Sequence, residues 1–429
     1  MRLRNTIFTS LVTILLTPLA SANSITEIYQ TALEQDPSIR QAQANFMALK
    51  QANPLARSSL LPQLNASLVH DQNNVSDTTT QRAGINLRQS LYKHSNWLNL
   101  SKSEQQIQQG QFTLTLAEFD LTNRVVSAYL DLLQAQDTLT FVQAEKQAIE
   151  RELEKTKQQL KVGISAITNL HEAQAQFDAA VAQEISATNA IELAKEALRE
   201  ITGQYYQTVD PLNTENFTPP ELTPTNVDDW LNIAAANNPS LLGQKIAVAI
   251  AKKDIDIASS DHLPEANLDA GYGWTDIDSP THQGDETGIT WTVSVTVPIY
   301  SGGATTAQSR QARHQYVSAS QALEQTQRSV IKQVRSAYND VKATLARIKA
   351  LKQSVVSAES ALNATKAGFN VGTRTIVDVL NSTKVVYDAK RNLASARYQY
   401  IKAIVGLKSA AGNLSAEDIR AISRLGTAS

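Results

Sequence analysis

Residues 95–161 read SNWLNLSKSEQQIQQGQFTLTLAEFDLTNRVVSAYLDLLQAQDTLTFVQAEKQAIERELEKTKQQLK, with one glycine and no proline. Leu100, Ile107, Leu114, Leu121, Ala128, Ala135, Val142 and Ile149 recur every seventh position. A second row forms farther along with Val125, Leu132, Leu139 and Leu153. An apolar seam held at a period of seven over this length specifies coiled-coil packing. At about 1.5 Å per residue it predicts a rod of about 100 Å, longer than a globular domain is wide. The second half of the chain repeats the pattern. Val334, Val341, Ile348, Val355, Leu362 and Phe369 form one row, with Val330, Ala337, Leu351 and Ala358 beside it.

Other segments recur too. Asp36-Pro37-Ser38 returns as Asn238-Pro239-Ser240 and Leu61-Pro62-Gln63 as Leu263-Pro264-Glu265, both offset by 202. Ser127-Ala128-Tyr129 returns as Ser336-Ala337-Tyr338 and Val162-Gly163 as Val371-Gly372, offset by 209. Gly203 pairs with Gly406 at an offset of 203, which predicts a second half one heptad shorter near its end. Two similar halves indicate duplication, with a first repeat over 23–208 and a second over 226–411. Pro211, Pro219, Pro220 and Pro224 mark 209–225 as a linker, and 412–429 is left as a C-terminal tail. Shorter helices fit about 166–202 and about 374–408 after each Val-Gly pair. Further helices fit about 25–60 and 226–261.

Two strand pairs lie between the helices. Ile289–Val297 alternates Trp291, Val293, Val295 and Val297 against threonines and a serine. Glu265–Trp274 alternates Leu268, Ala270, Tyr272 and Trp274 against Asn267, Asp269, Gly271 and Gly273. Strands about 63–71 and 83–92 do the same less cleanly. Each is about 9–11 residues, the length that crosses a bilayer as a tilted strand. A two-sided sheet of a soluble protein would also fit.

The N-terminus favours the membrane reading. Arg2 and Arg4, the apolar Ile7–Leu16 and Ala20-Ser21-Ala22 read as a secretory signal peptide over 1–22. No later stretch runs 18 apolar residues, so no transmembrane helix is expected. The chain has no cysteine to carry a lipid. A membrane protein without such helices must use a β-barrel. Four strands cannot close one, since membrane barrels begin at about eight. Several chains must therefore share a barrel, and the strand count does not choose among two, three or four.

Composition bounds the chemistry. The net charge of −2 leaves no basic excess for phosphate, so nucleic acid is not an expected partner. The six histidines show no metal spacing. Asp276, Asp278, Asp285 and Glu286 fall in a polar stretch read as an irregular loop without a calcium-loop pattern. Ser301-Gly302-Gly303 lacks phosphate-loop spacing and reads as a strand-to-helix turn. No catalytic, cofactor or metal residues are nominated, and the chain is read as no enzyme.

Val371-Gly372-Thr373-Arg374-Thr375-Ile376-Val377-Asp378-Val379-Leu380 resembles the periplasmic-entrance segment of the outer membrane factor family, the TolC-type efflux and secretion channels. Arg199-Glu200-Ile201-Thr202-Gly203-Gln204-Tyr205-Tyr206, His262-Leu263-Pro264 and Pro298-Ile299-Tyr300-Ser301-Gly302-Gly303 are similar to other family segments. The resemblance implies a mainly α chain with a membrane β-barrel: a homotrimer whose 12-stranded β-barrel continues into a periplasmic α-helical barrel. It implies a passive outer-membrane exit duct for tripartite efflux or type I secretion. Partners would be outer-membrane lipid, a periplasmic adaptor protein and an inner-membrane RND, MFS or ABC transporter. Hairpins around Gln72–Gln81 and Thr275–Gly288 would face outside the cell, and the linker and chain end would form a belt.

The resemblance also nominates residues. Val162, Gly163, Val371, Gly372 and Thr373 would form the adaptor-contact tips. Arg374, Thr168, Asn169, Phe369 and Lys366 occupy positions of the periplasmic gate. Asn169 and Phe369 stand where the family pattern has an aspartate and a tyrosine, Lys366 replaces an acidic residue and Asn381 a second lumen aspartate. The expected gate is thus held by fewer or different bonds. Asp378 would form a carboxylate ring favouring cations; the residues alone also allow a solvated aspartate, or an i,i+4 pair with Arg374. A periplasmic coiled-coil scaffold or adaptor is the alternative, and it leaves four bilayer-length strands unexplained.

Overall fold

The computed structural model describes residues 23–212 and 219–427. The signal-peptide segment lies outside the described residues, as do 213–218 of the linker. In chain order the elements are α1 (Ile25–Gln35), α2 (Pro37–Lys50), α3 (Ala52–Ser58), β1 (Gln63–Asn73), β2 (Thr78–Tyr92), α4 (His94–Lys161) and α5 (Ile167–Thr202). The second half follows with α6 (Val227–Asn237), α7 (Pro239–Ser260), β3 (Glu265–Ser279), β4 (His282–Thr296), α8 (Ala304–Asn370) and α9 (Ile376–Ala411), then α10 (Ala416–Thr427).

The strands form one antiparallel sheet in the order β1-β2-β3-β4. Register puts Leu64, Leu87, Ala270 and Trp291 in one row and Ala66, Ile85, Tyr272 and Ile289 in the next. The other face carries Asn65, Asn86, Gly271 and Thr290, then Arg88, Asp269 and Thr292. Arg88 donates from Nε to Asp269 at 2.8 Å. One face is thus apolar and exposed while the other is polar, an inversion of a soluble sheet. The strands outrun the alternating stretches. Asp276 pairs with Asp285 and Thr275 with Glu286, so these residues extend β3 and β4 and are not a loop. Apart from Ile277 their segment is polar or glycine on both faces, which removes the period-two signal without preventing pairing.

The long helices α4 and α8 have 68 and 67 residues. Beneath the sheet α2 packs on α4, α4 on α7 and α7 on α8, so the helical layer repeats the strand order. Farther on, α5 pairs with α4, α9 with α8, and α9 also packs on α4. Among the described residues no helix is long and apolar enough to cross a membrane.

The helices expected over 25–60 and 226–261 are interrupted. Asp36 and Asn238 precede prolines, which push them out of the helical region to ψ 123 and 118. Each then caps the next helix: Asp36 Oδ1 accepts from the Ile39 amide at 2.9 Å and Asn238 Oδ1 from Leu241 at 3.0 Å. Asp36 also receives two bonds from Arg124 of α4, at 2.8 and 3.0 Å. Burial works to raise the Asp36 carboxyl, but Arg124 and the Ile39 amide outweigh it and hold it below its ordinary value. A depressed folded value makes its contribution complete at neutral pH. That contribution is lost as pH falls from the unfolded value through the folded one. Asp36→Ala is expected to cost about 2–3 kcal/mol, from a lost cap and charged hydrogen bonds. Asp36→Asn keeps the cap, as Asn238 does, and should cost less. Thermal melts from pH 7 to 3 should show the wild-type advantage over Asp36→Asn shrinking with acid.

The principal core lies partway along α4, where Leu121–Leu133 is buried on almost every side by α1, α9 and the segment after α5. Repeat-related tyrosines hold the two ends of the linker there. Tyr129 donates to the Asp210 carbonyl and Tyr338 to that of Thr225, each at 2.6 Å. Tyr400 donates to Pro220 at 2.6 Å and the Trp230 indole to Pro224 at 2.8 Å. Tyr129, Tyr400 and Trp230 are buried, so their bonds satisfy backbone carbonyls that would otherwise lose a water partner, while the half-buried Tyr338 makes the matching bond nearer solvent.

The second half is not shorter at its end. α5 and α9 both have 36 residues. The left-handed C-caps are Gly203 (φ 70) and Gly412 (φ 73), still offset by 209, while Gly406 sits inside α9. The surplus in the second half lies elsewhere. One residue, Lys93, joins β2 to α4, whereas seven, 297–303, join β4 to α8.

Candidate functional site

The two helix hairpins end in matching turns. Val162 and Val371 close α4 and α8, and Gly163 (φ 77) and Gly372 (φ 80) follow in the left-handed region. The Gly163 amide donates to Leu160 at 3.0 Å and that of Ile164 to Gln159 at 2.8 Å. The Gly372 amide donates to Phe369 at 3.1 Å and that of Thr373 to Gly368 at 2.9 Å. Both turns are therefore Schellman caps, which satisfy the last carbonyls of a long helix and need glycine at the positive φ. Val162, Ile164 and Val371 project from them into solvent.

After the turn the hairpins differ. Ala166 offers α5 no side-chain cap. Thr375 and Asp378 cap α9 reciprocally: the Asp378 amide donates to Thr375 Oγ1 at 3.2 Å, and Asp378 Oδ2 accepts from the Thr375 amide at 2.9 Å and hydroxyl at 3.0 Å. The Thr375 amide, then its hydroxyl and the nearby charge of Arg374, hold the Asp378 carboxyl below its ordinary value. Asp378 is therefore neither a freely solvated aspartate nor ion-paired to Arg374. The Thr-x-x-Asp spacing carried that signal in the sequence.

Arg374 is exposed and makes no hydrogen bond or ion pair among the described residues; its Cγ lies 2.8 Å from where a Cβ on Gly368 would fall. Thr168 is exposed, and Asn169 donates to Ser165 Oγ at 3.2 Å. The single chain thus does not join Arg374 to Thr168 or Asn169. Lys366 is likewise exposed. Phe369 packs against Ile149, Leu153, Ile376, Val379 and Leu380 of both hairpins. Lys155 Nζ stands 5.1 Å from its ring centroid, a cation–π contact that needs no hydroxyl.

Above this cluster α4 and α9 are laced by polar side chains. Arg391 Nη1 donates to Glu145 at 2.6 Å and its other Nη to Asp388. Glu145 is 4% exposed at its side chain and Arg391 12%. Tyr398 donates to Asp137 at 2.7 Å and Lys402 to Asp131 at 2.6 Å. The three interhelix contacts, to Glu145, Asp137 and Asp131, join partners more than 240 positions apart and leave no local pattern in the sequence.

A sheet with an apolar, exposed face, continued by four side-by-side helices and ending in two capped hairpins, defines a membrane-anchored helical channel protein. Residues 28–204 and 230–413 match the outer membrane efflux protein family, and the chain belongs to that family. It is 42% identical to the outer membrane protein TolC of Vibrio cholerae over 93% of this chain and 92% of the relative. It is 29% identical to the alkaline protease secretion protein AprF of Pseudomonas aeruginosa over 94% and 87%. The solved structure of the outer membrane protein VceC of Vibrio cholerae superposes with a TM-score of 0.76 at 18% identity, over 91% of this chain and 96% of that one. The chain is a TolC-type channel protein of the outer membrane and not an enzyme.

Proposed function

We propose that three copies of this chain form a passive exit duct, with a 12-stranded barrel in the outer membrane and a helical barrel in the periplasm. The observation that carries it is the pair of open edges: β1 and β4 each have a neighbour on one side only. In lipid those backbone groups need partners, and β4 of one copy against β1 of the next supplies them. The apolar face with Trp291, Val293 and Val295 then meets lipid, and the polar face with Asn86, Arg88 and Asp269 lines the lumen. Drugs or secreted proteins are the cargo, as expected for an efflux and secretion family. A periplasmic adaptor would engage Val162, Gly163, Val371, Gly372 and Thr373, and an inner-membrane RND, MFS or ABC transporter would supply the energy.

The entrance closes where the tips converge. The free guanidinium of Arg374 is available to Thr168 and Asn169 of a neighbouring copy. Arg374 to Asn169 would lack the charge assistance of an arginine–carboxylate bond. Asp378 contributes one carboxylate per copy. Single-channel recording in a planar bilayer tests this. Wild-type conductance should be small and rise in Arg374→Ser; equal conductances would move the gate elsewhere. Asp378→Asn should weaken cation preference, and an unchanged reversal potential would remove this carboxylate from the constriction.

A further inference from the structure

The duplication provides an internal template for a contact that one chain leaves open. Within the chain, the β2–α4 junction meets the turn that leads from α7 into β3. Lys93 Nζ lies 3.1 Å from Glu265. Lys93 and His94 face Asp261, Leu263 and Pro264 across a groove of about 330 Å³. The corresponding elements of the other seam are both at free edges: the β4–α8 junction on one side and the turn from α3 into β1 on the other. Leu61-Pro62 there is the repeat of Leu263-Pro264.

The chemistry of that second seam has changed. Seven residues, VPIYSGG at 297–303, replace the single Lys93. Ile299 and Tyr300 are 96% and 86% exposed, and Leu55 and Leu61 are also exposed. β1 begins and β4 ends at the helical end of the sheet, so both apolar segments lie at that end on complementary edges. A tyrosine and an isoleucine held almost fully in solvent on opposite sides from two leucines are unfavourable in one chain and match between two. We propose that the 297–303 strap is an intersubunit clasp, with Ile299 and Tyr300 seated on Leu55 and Leu61 of a second copy. This rests on the multi-copy reading above and adds which surfaces meet.

The chain has no cysteine, so crosslinking reads the contact cleanly. Full-length Leu61→Cys/Tyr300→Cys protein in outer-membrane vesicles, oxidised with copper phenanthroline, should run as covalent multimers on denaturing gels. Neither single variant should. A double variant that assembles by native mass spectrometry yet gives no product, even with a short bis-maleimide, overturns the clasp and leaves the multi-copy reading standing. A wild type that is monomeric by the same mass measurement overturns that reading, and the clasp with it. Should the double variant fail to assemble, Ile299→Ser/Tyr300→Ser decides: its assembly should separate in detergent at a lower temperature than wild type with an unchanged β-sheet signal, and an unchanged temperature refutes the clasp. Quenching of bimane on Tyr300→Cys by brominated phospholipid would put the strap in lipid and also refute it.

Discussion

Glu145→Ala is expected to lower stability by about 3 kcal/mol, because it strips a nearly buried arginine of its interhelix partner. Arg391 reaches from α9 to Glu145 on α4, and its remaining partner, Asp388, lies on its own helix and is half-exposed. Burial works against the Arg391 charge, and the two carboxylates more than compensate for it. Removing Glu145 leaves the desolvation without the compensation. The pair itself need contribute little, since a buried ion pair replaced by apolar residues is often neutral. Glu145→Leu/Arg391→Met should therefore recover most of the loss. Thermal melts followed by far-ultraviolet circular dichroism distinguish the two. A double variant as unstable as Glu145→Ala would mean that the charges themselves hold α4 to α9.

Gly412→Ala should be far more damaging than Gly203→Ala, although both glycines perform the same cap in their repeats. At Gly203 the φ of 70 is the only obstacle, and an added Cβ meets nothing within 4 Å. The cost is the left-handed penalty of about 1–2 kcal/mol. At Gly412 the φ of 73 carries the same penalty, and the Cβ would fall 2.5 Å from the Asn237 carbonyl oxygen and 2.7 Å from Asn238 Cα. These are backbone atoms of the α6–α7 turn, so no side chain can swing aside. Displacing that turn also strains the bond from Asn238 Nδ2 to the Ala410 carbonyl, 2.9 Å. A combined loss of about 3–5 kcal/mol follows from adding overpacking to the conformational cost. Side-by-side melts of the two variants read the difference directly; equal losses would mean that the turn yields without cost.

The sequence made the seam of α4 and α8 legible because a period of seven over many turns has few other uses. Val334, Val341 and Ile348 are buried as that period requires. Alternation located the strands but not their ends, since Asp276 and Asp285 pair where both faces are polar. Gly406 misled the repeat alignment. A glycine inside a helix costs only about 1 kcal/mol relative to alanine, so composition alone does not separate it from the cap at Gly412. At the tips, Val162-Gly163 and Val371-Gly372 were readable because a left-handed cap demands glycine. The Thr375–Asp378 box is present as a spacing, but a Thr-x-x-Asp spacing alone does not separate a cap from a lumen carboxylate. Lys155 over Phe369 and Arg391 on Glu145 were not legible, because tertiary packing alone brings such distant positions together.

The two open edges of the sheet, at β1 and β4, find partners in lipid only if several chains share one barrel. Native mass spectrometry of the full-length protein, expressed and extracted from outer membranes in mild detergent, counts the chains. The proposed duct requires an assembly of three times the mass that the same extracted chain shows when denatured. A monomer of the same membrane-extracted protein would contradict it, because four strands would then face lipid with both edges unpaired.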